Sequence, residues 1–138
     1  MSLFSIFDVA GSGMSAQSIR LNTVASNMAN AQTVSDTKAG AYRAKQPIFQ
    51  ALLTEAGRSQ AGIQGVRVSG VTESNGAIEQ RFMPEHPMAD EQGYVYLPNV
   101  NMIEEMTNMI SASRTFQSNV EVLNTSKELM LRTLSLGQ

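Results

Sequence analysis

The sequence predicts a mainly α-helical protein with a small β middle. Long N- and C-terminal helices are expected to pair as a coiled coil, with a central segment that contains a β-hairpin. Three observations predict this class. Apolar residues recur at alternating three- and four-residue intervals near both ends, all four prolines lie within residues 34–100, and an Asn-Gly pair separates two alternating runs there. Heptad spacing is typical of paired helices, whereas Asn-Gly is typical of tight hairpin turns.

These patterns divide the chain into three segments. Residues 1–33 form an N-terminal assembly helix, 34–100 a central β-rich and extended segment, and 101–138 a C-terminal assembly helix. With no tryptophan and only 6% aromatic residues, the chain has few bulky side chains from which to build a core. We therefore expect an extended molecule.

The first helix is predicted from Leu3 to Ala31. Only Asp8 and Arg20 carry side-chain charges in this stretch. Because a surface helix normally presents a charged face, a helix this neutral is expected to be surrounded by other protein. The assembly residues predicted on its two heptad rows are Phe7, Met14, Leu21, Val24 and Met28.

The last helix is predicted from Asn101 to about Leu134, which makes it roughly 50 Å long. Asn101 can cap its start, and Glu104 would complete a capping box. Lys127 interrupts the apolar row, either because its stem snorkels to solvent or because its charge faces a partner. The predicted assembly residues are Met102, Met106, Met109, Phe116, Val120, Leu123, Met130 and Leu134, and a second apolar line contains Ile103, Ile110 and Leu131.

The central segment is expected to be a small, partly open β-structure. Residues 66–72 and 77–82 alternate as strands do, and Asn75-Gly76 between them predicts a type I′ hairpin. Residues 42–53 predict another strand, which Pro47 would confine to a sheet edge. Residues 94–97 form a further short apolar run.

The apolar rows of the two helices have two possible partners. The helices can bury one face of each against the other within a monomer. That pairing leaves the other neutral faces of the first helix and the second apolar line of the last helix uncovered. Exposed apolar side chains promote association, so the pattern favours burial between subunits.

No catalytic, cofactor or metal site is predicted, and the chain is not expected to be an enzyme. The net charge of −2 and scattered basic residues argue against nucleic-acid binding. The absence of cysteine excludes disulfides and thiolate metal sites, and the single histidine, His86, is expected to be structural. No apolar run is long enough to insert into a membrane as a spanning helix, and the N-terminus lacks the features of a cleaved secretory signal.

Three stretches resemble the flagellar axial protein family. Residues 10–33 resemble its N-terminal signature, and residues 86–101 resemble the H-P-x-A-D-x-x-G-Y-V-x-x-P-N-V segment of a proximal rod member. Residues 111–138 are similar to that member's C-terminal helix, with Phe116 and Ser118 where tyrosine and alanine are expected. The family-motif residues are Asn27, Asn30, Thr33, His86, Pro87, Asp90, Gly93, Tyr94, Pro98 and Asn99.

The resemblance implies a structural subunit of the proximal rod in the bacterial flagellar basal body. Such a subunit would polymerise through its terminal helices into a hollow drive shaft that transmits torque and passes exported subunits. The implied partners are further copies of the chain, the rod proteins FlgB, FlgF, FlgG and FliE, and the flagellar type III export apparatus. The implied location is the periplasmic rod, reached without a cleaved signal peptide. Alternatives are another rod or hook subunit of the family, or a helical adaptor or chaperone of the export system.

Overall fold

The computed structural model describes residues 3–53 and 63–136. They form two long helices and two small antiparallel sheets of two strands each. The predicted fold class is confirmed, because a helix stands at each end and short strands lie between them. The proposed division into three segments at residues 33 and 100 stays a prediction. The elements are α1 (Leu3–Asn30), β1 (Lys45–Leu53), β2 (Ile63–Glu73), β3 (Glu79–Phe82), β4 (Tyr94–Leu97) and α2 (Met102–Leu136).

A side-chain cap fixes the start of α2. The Asn101 Oδ1 atom accepts hydrogen bonds from the N–H groups of Ile103, at 3.0 Å, and Glu104, at 3.4 Å. Such a cap stabilises a helix by about 1 kcal/mol. The second half of the predicted capping box is not formed, since no hydrogen bond between described residues joins the Glu104 carboxylate to the Asn101 N–H. Asn101 Oδ1 therefore satisfies two of the N–H groups at the start of α2.

The end of α1 is fixed by an asparagine and a threonine. Asn30 Nδ2 donates to the Ser26 carbonyl at 2.8 Å. The Asn30 carbonyl in turn accepts from Thr33, through the hydroxyl at 2.8 Å and the N–H at 3.1 Å. The bonds from Thr33 satisfy the Asn30 carbonyl, which the helix end would otherwise leave without a partner. They give a local physical reason for the Asn30-x-x-Thr33 sequence.

The two helices pack side by side in antiparallel directions. Arg20 Nη2 donates to Asn108 Oδ1 at 2.9 Å, and further along Gly13 faces the Asn119 side chain. Small residues lie at the centre of the seam, where Ala112 is completely buried. Because Arg20 lies opposite Asn108 and Gly13 opposite Asn119, the last turns of α2 extend past Leu3, the first described residue of α1.

The β1–β2 ribbon lies along α1. Its register runs from Lys45 opposite Glu73 to Leu53 opposite Ile63, with irregularities after Ile48 and Leu52. One end is attached to α1 through Ser12, whose hydroxyl accepts the Val66 N–H at 3.1 Å, and the other end through Asn27. Helix α2 and the β1–β2 ribbon therefore cover α1 on two sides. Part of the neutral surface of α1, which was expected to be buried between subunits, is instead buried within the chain.

The predicted hairpin across Asn75-Gly76 is wrong. β2 pairs with β1, and β3 pairs with β4, so the two runs that flank Asn75 belong to different sheets. A type I′ turn needs positive φ at both central residues, but only Gly65 and Gly93 among the described glycines have it. Pairing with distant strands outweighed the local turn preference. Pro47 does lie on a strand with a free edge, as predicted, because its sheet has two strands.

Candidate assembly surfaces

One carboxylate organises the loop between β3 and β4. Asp90 Oδ1 accepts the N–H groups of Tyr94, at 2.8 Å, and Gln92, at 2.9 Å, and Oδ2 accepts the Tyr96 hydroxyl at 3.2 Å. The bond from the Tyr94 N–H is the main reason that the pKa of Asp90 lies below its ordinary value, although partial burial opposes the shift. Burial, followed by the bond to Asp90, raises the pKa of Tyr96. The loop is thus preformed around an ionised aspartate.

A glycine allows this loop to close. Gly93 has a φ of +81°, which side chains disfavour, and its N–H donates to the Asp90 carbonyl at 3.0 Å. A Cβ atom at this position would lie 2.9 Å from the Phe82 ring. That ring packs edge-on against Tyr94, with centroids 5.2 Å apart. The family motif therefore places a glycine where both backbone and space require one.

His86 has a structural contact, in keeping with the role predicted for it. Its Nδ1 atom accepts the Met88 N–H at 3.1 Å and so closes a turn beside Pro87. The described residues contain no group of three side chains that could hold a metal ion. Phe82, Met83 and Met88 stay exposed around this turn, which gives the loop an apolar outer tip.

Asn27 holds the central segment on α1. It is only 1% exposed, and its Oδ1 atom accepts the Lys45 N–H at 2.8 Å and the Tyr42 hydroxyl at 3.0 Å. Its Nδ2 atom donates to the Lys45 carbonyl at 2.8 Å. The carboxamide thus bonds both backbone groups of Lys45 as a neighbouring strand would, and β1 begins at that residue.

Asn99 makes the corresponding joint near α2. Its Oδ1 atom accepts the Ala44 N–H at 2.8 Å, and its Nδ2 atom donates to the carbonyls of Gly76, at 3.0 Å, and Ser74, at 3.3 Å. Arg43 donates to the same two carbonyls. The adjacent Pro98 is buried, whereas Thr33 and Pro87 are exposed. Most of the family-motif residues therefore fix helix ends, loop shape and the joints between elements.

The predicted assembly row on α2 is split by the fold. Its inner members share a side of the helix with the buried residues Glu105, Ala112 and Ser126, and therefore face α1. The sequence pattern missed these three buried residues, because it registered only large apolar side chains. Met106 and Leu134 instead point outward. The half-buried inner members are Met102, Met109, Phe116, Val120, Leu123 and Met130.

The corresponding residues on α1 are covered to different extents. Val24 is buried, as are the polar residues Thr23 and Asn27, which no apolar pattern indicates. The remaining row lies at the flank of the helix pair, where its side chains are half-exposed and accessible to a neighbour. Its members are Phe7, Met14, Leu21 and Met28.

Two apolar surfaces of α2 have no cover within the described chain. Ile103, Met106 and Ile110 form the outer stripe, and Ile103 is 77% exposed. Leu129, Leu131 and Leu134 form the overhang leucines, on the turns of α2 that extend past α1. Lys127 is also exposed and lies outside the buried seam. Neither described helix combines the length and apolarity that a membrane crossing requires.

Two buried polar side-chain atoms, one on each helix, have no hydrogen-bond partner in the described chain. They are Gln17 Oε1 and Glu105 Oε2, and Glu105 is only 8% exposed. Arg20 and Lys45 line the cleft beside Glu105, but Arg20 bonds Asn108 and the Lys45 ammonium lies 5.6 Å above the Tyr42 ring. Burying a carboxylate oxygen without a hydrogen bond is costly, so Glu105 Oε2 lowers the stability of this part of the seam.

Comparison with known proteins assigns the family. The model described as "Flagella basal body rod protein" matches residues 7–34, and "Flagellar basal body rod FlgEFG protein C-terminal" matches 91–136. A flagellar basal-body rod protein FlgC from Yersinia enterocolitica is 52% identical over 138 residues, and one from Salmonella typhimurium strain LT2 is 50% identical, each covering all of both chains. The chain belongs to the FlgC family. A FlgC from Borreliella burgdorferi is 36% identical over 151 aligned positions, covering all of this chain and 99% of the relative.

Membership of the FlgC family makes the chain a structural subunit of the flagellar rod, located in the flagellar basal body. The resemblance of residues 86–101 to the segment of a rod protein is thereby confirmed. Full-length identity to FlgC favours this assignment over another axial subunit or an export adaptor. The two family models cover α1 and α2, the elements that carry the predicted assembly rows.

Proposed function

We propose that this FlgC-family chain polymerises through its terminal helices into the hollow proximal rod, which transmits torque and passes exported subunits. The observation that carries the proposal is the exposure of the outer stripe and the overhang leucines after the two helices have paired. These surfaces lie at opposite ends of α2. They are therefore suited to contacts with different neighbours.

The energetics support burial of these surfaces between subunits. Burying one isoleucine, leucine or methionine side chain is worth roughly 1.5–3 kcal/mol, and six such side chains of the two surfaces are exposed. Contacts between different patches of identical subunits do not close into a dimer, and they generate a helical polymer when the rotation leaves the ring open. Two separate apolar patches on one long helix meet this requirement.

The partners follow from the family and from the surfaces. We infer that the chain contacts further copies of itself and the rod proteins FlgB, FlgF, FlgG and FliE, and that the flagellar type III export apparatus delivers it to the periplasmic section of the rod. The half-exposed row of α1 and the apolar tip around Met83 are further surfaces for such neighbours. The chain has no catalytic role in this scheme.

The test uses substitutions that spare the monomer. Phe116→Asp and Leu123→Asp are unsuitable, because both side chains face α1. Either substitution would disturb the folding of the monomer as well as any contact between subunits. Ile110→Asp and Leu134→Asp change exposed positions, and we expect the monomer's free energy of unfolding to move by no more than about 0.5 kcal/mol. Cells that carry either variant should not swim, and their purified basal bodies should lack the chain.

Gln117→Asp is the matched control, because Gln117 is an exposed polar residue of the same helix. Cells with this variant should swim, with the chain present in basal bodies at wild-type amounts. Normal swimming with Ile110→Asp and Leu134→Asp together would show that neither the outer stripe nor the overhang leucines form a subunit contact.

A further inference from the structure

The Asn75-Gly76 pair forms no hairpin, and its surroundings suit a different role. Both residues are exposed in the loop between β2 and β3. The Asn75 carboxamide makes no hydrogen bond to any described residue, so it is free to rotate toward the next peptide group. Among the described residues, only the Ser74 hydroxyl accepts a hydrogen bond from the Gly76 N–H, at 3.2 Å.

We propose that Asn75 is a site of spontaneous deamidation and backbone isomerisation in the folded chain. After hydroxide removes the Gly76 amide proton, the nitrogen attacks Asn75 Cγ. The new N–Cγ bond closes a five-membered succinimide, the Cγ–Nδ2 bond breaks, and ammonia leaves with a proton from water. Water then adds to one of the two ring carbonyls and opens the ring, which yields aspartate or isoaspartate. Asparagine is one of the thermally labile residues, and glycine lacks the Cβ that would obstruct the attack.

The sequence and the contacts select this asparagine. Asn75 is the only asparagine that a glycine follows. The carboxamides of Asn27 and Asn99 are held by backbone groups on both their oxygen and nitrogen atoms, so they cannot turn toward their own following peptides. Asn75 alone combines a free carboxamide with an unobstructed neighbour.

Isomerisation would act on a joint of the fold. The carbonyls of Ser74 and Gly76 accept hydrogen bonds from Asn99 at 3.3 and 3.0 Å, and from Arg43 at 3.2 and 3.3 Å. Isoaspartate routes the main chain through Cβ and so inserts one atom between these two carbonyls. Because Asn99 also holds the Ala44 N–H, the change should loosen the joint between the two sheets. It also adds one negative charge to a chain whose net charge is −2.

The experiment ages the purified full-length chain at mildly alkaline pH. Trypsin cleaves after Arg67 and Arg81, which isolates residues 68–81 as one peptide containing Asn75. We expect this peptide to gain one mass unit, with isoaspartate identified by electron-transfer fragmentation, at a rate comparable to that of a synthetic peptide of the same sequence. If the synthetic peptide converts while the folded chain stays unmodified, the fold protects Asn75 and the proposal is wrong.

Asn75→Gln is the matched control, since it keeps an exposed carboxamide but would need a six-membered ring to cyclise. This variant should stay unmodified. After ageing, hydrogen exchange of the Ala44 N–H should be faster in the wild-type chain and unchanged in Asn75→Gln. Equal exchange in a converted wild-type chain would refute the loosening of the joint.

Discussion

Replacement of Asn27 by alanine tests the joint between α1 and the β1–β2 ribbon. The substitution keeps α1 helical, because alanine has the highest helix propensity. It removes three hydrogen bonds and leaves the N–H and carbonyl of Lys45 without their partner. The perturbation is therefore confined to polar contacts at a buried position.

The expected loss of stability follows from the N–H and the carbonyl of Lys45, which both lose their hydrogen-bond partner. A buried donor or acceptor left unsatisfied costs about 1–3 kcal/mol, and alanine returns roughly 0.5 kcal/mol through its helix propensity. With two such groups, we expect Asn27→Ala to lower the free energy of unfolding by roughly 1.5–5.5 kcal/mol. Domains of ordinary stability unfold with about 5–15 kcal/mol, so the loss would be a large fraction of the total.

The assay combines urea unfolding, followed by circular dichroism, with amide hydrogen exchange of individual residues. In Asn27→Ala, exchange at the Lys45 N–H should accelerate because its acceptor is gone. Asn27→Asp keeps the oxygen acceptor but loses the donor to the Lys45 carbonyl. We expect Asn27→Asp to be as destabilised as Asn27→Ala at neutral pH. Its stability should recover in acid, where the protonated carboxyl can donate to the Lys45 carbonyl.

Asn22→Ala is the control, because Asn22 is an exposed residue of α1 without a hydrogen bond to the described chain. Its stability should stay within about 0.5 kcal/mol of wild type. If Asn27→Ala matched this control in stability and in exchange at Lys45, the carboxamide would not hold the ribbon, and the argument would be refuted.

Three further predictions concern the loop and the helix seam. Asp90 has a lower pKa in the folded chain than in the unfolded chain, so its stabilising effect is present above its ordinary pKa of about 4 and is lost as the pH falls through the folded-state pKa. In urea unfolding, the stability difference between wild type and Asp90→Asn should therefore shrink from neutral pH to about pH 3. A difference that stays constant over this range would contradict the prediction. Gly93→Ala should cost at least about 1–2 kcal/mol because of its φ of +81° and the nearby Phe82 ring, and an unchanged melting temperature would count against this. Ala112→Leu should cost about 1–3 kcal/mol by forcing the helices apart, whereas Ser111→Leu on the exposed side should not, and equal stability of the two variants would refute the close seam.

The helices were predictable because their signals are local. Apolar spacing of three and four residues continues through both ends, and Asn101 stands where the last helix begins. The functional family was predictable because residues 86–101 resemble a known segment almost position by position. The contacts of Asp90 and Asn99 then supply a physical reason for that segment, which the sequence alone does not provide.

The composition of the helix seam was not predictable from the pattern. Large apolar residues were expected at its centre, but Ala112, Ser126 and Glu105 are the buried members on α2. Ala112 and Ser126 are small enough to let the two helices approach closely, and larger neighbours then cover the flanks. A pattern of large apolar residues therefore gives the correct helical period, but it predicts a buried face of α2 that is rotated by part of a turn from the observed one.

The sequence by itself determined that one long helix precedes and another follows a β-rich middle segment, and it identified the rod family. Only the tertiary structure decided that β2 pairs with β1, that the ribbon covers part of α1, and which apolar rows of α2 stay outside. Helix formation depends on neighbours within four residues, so a short stretch of sequence carries it. Strand pairing and helix docking join distant segments, and their free energies depend on packing that no single stretch encodes.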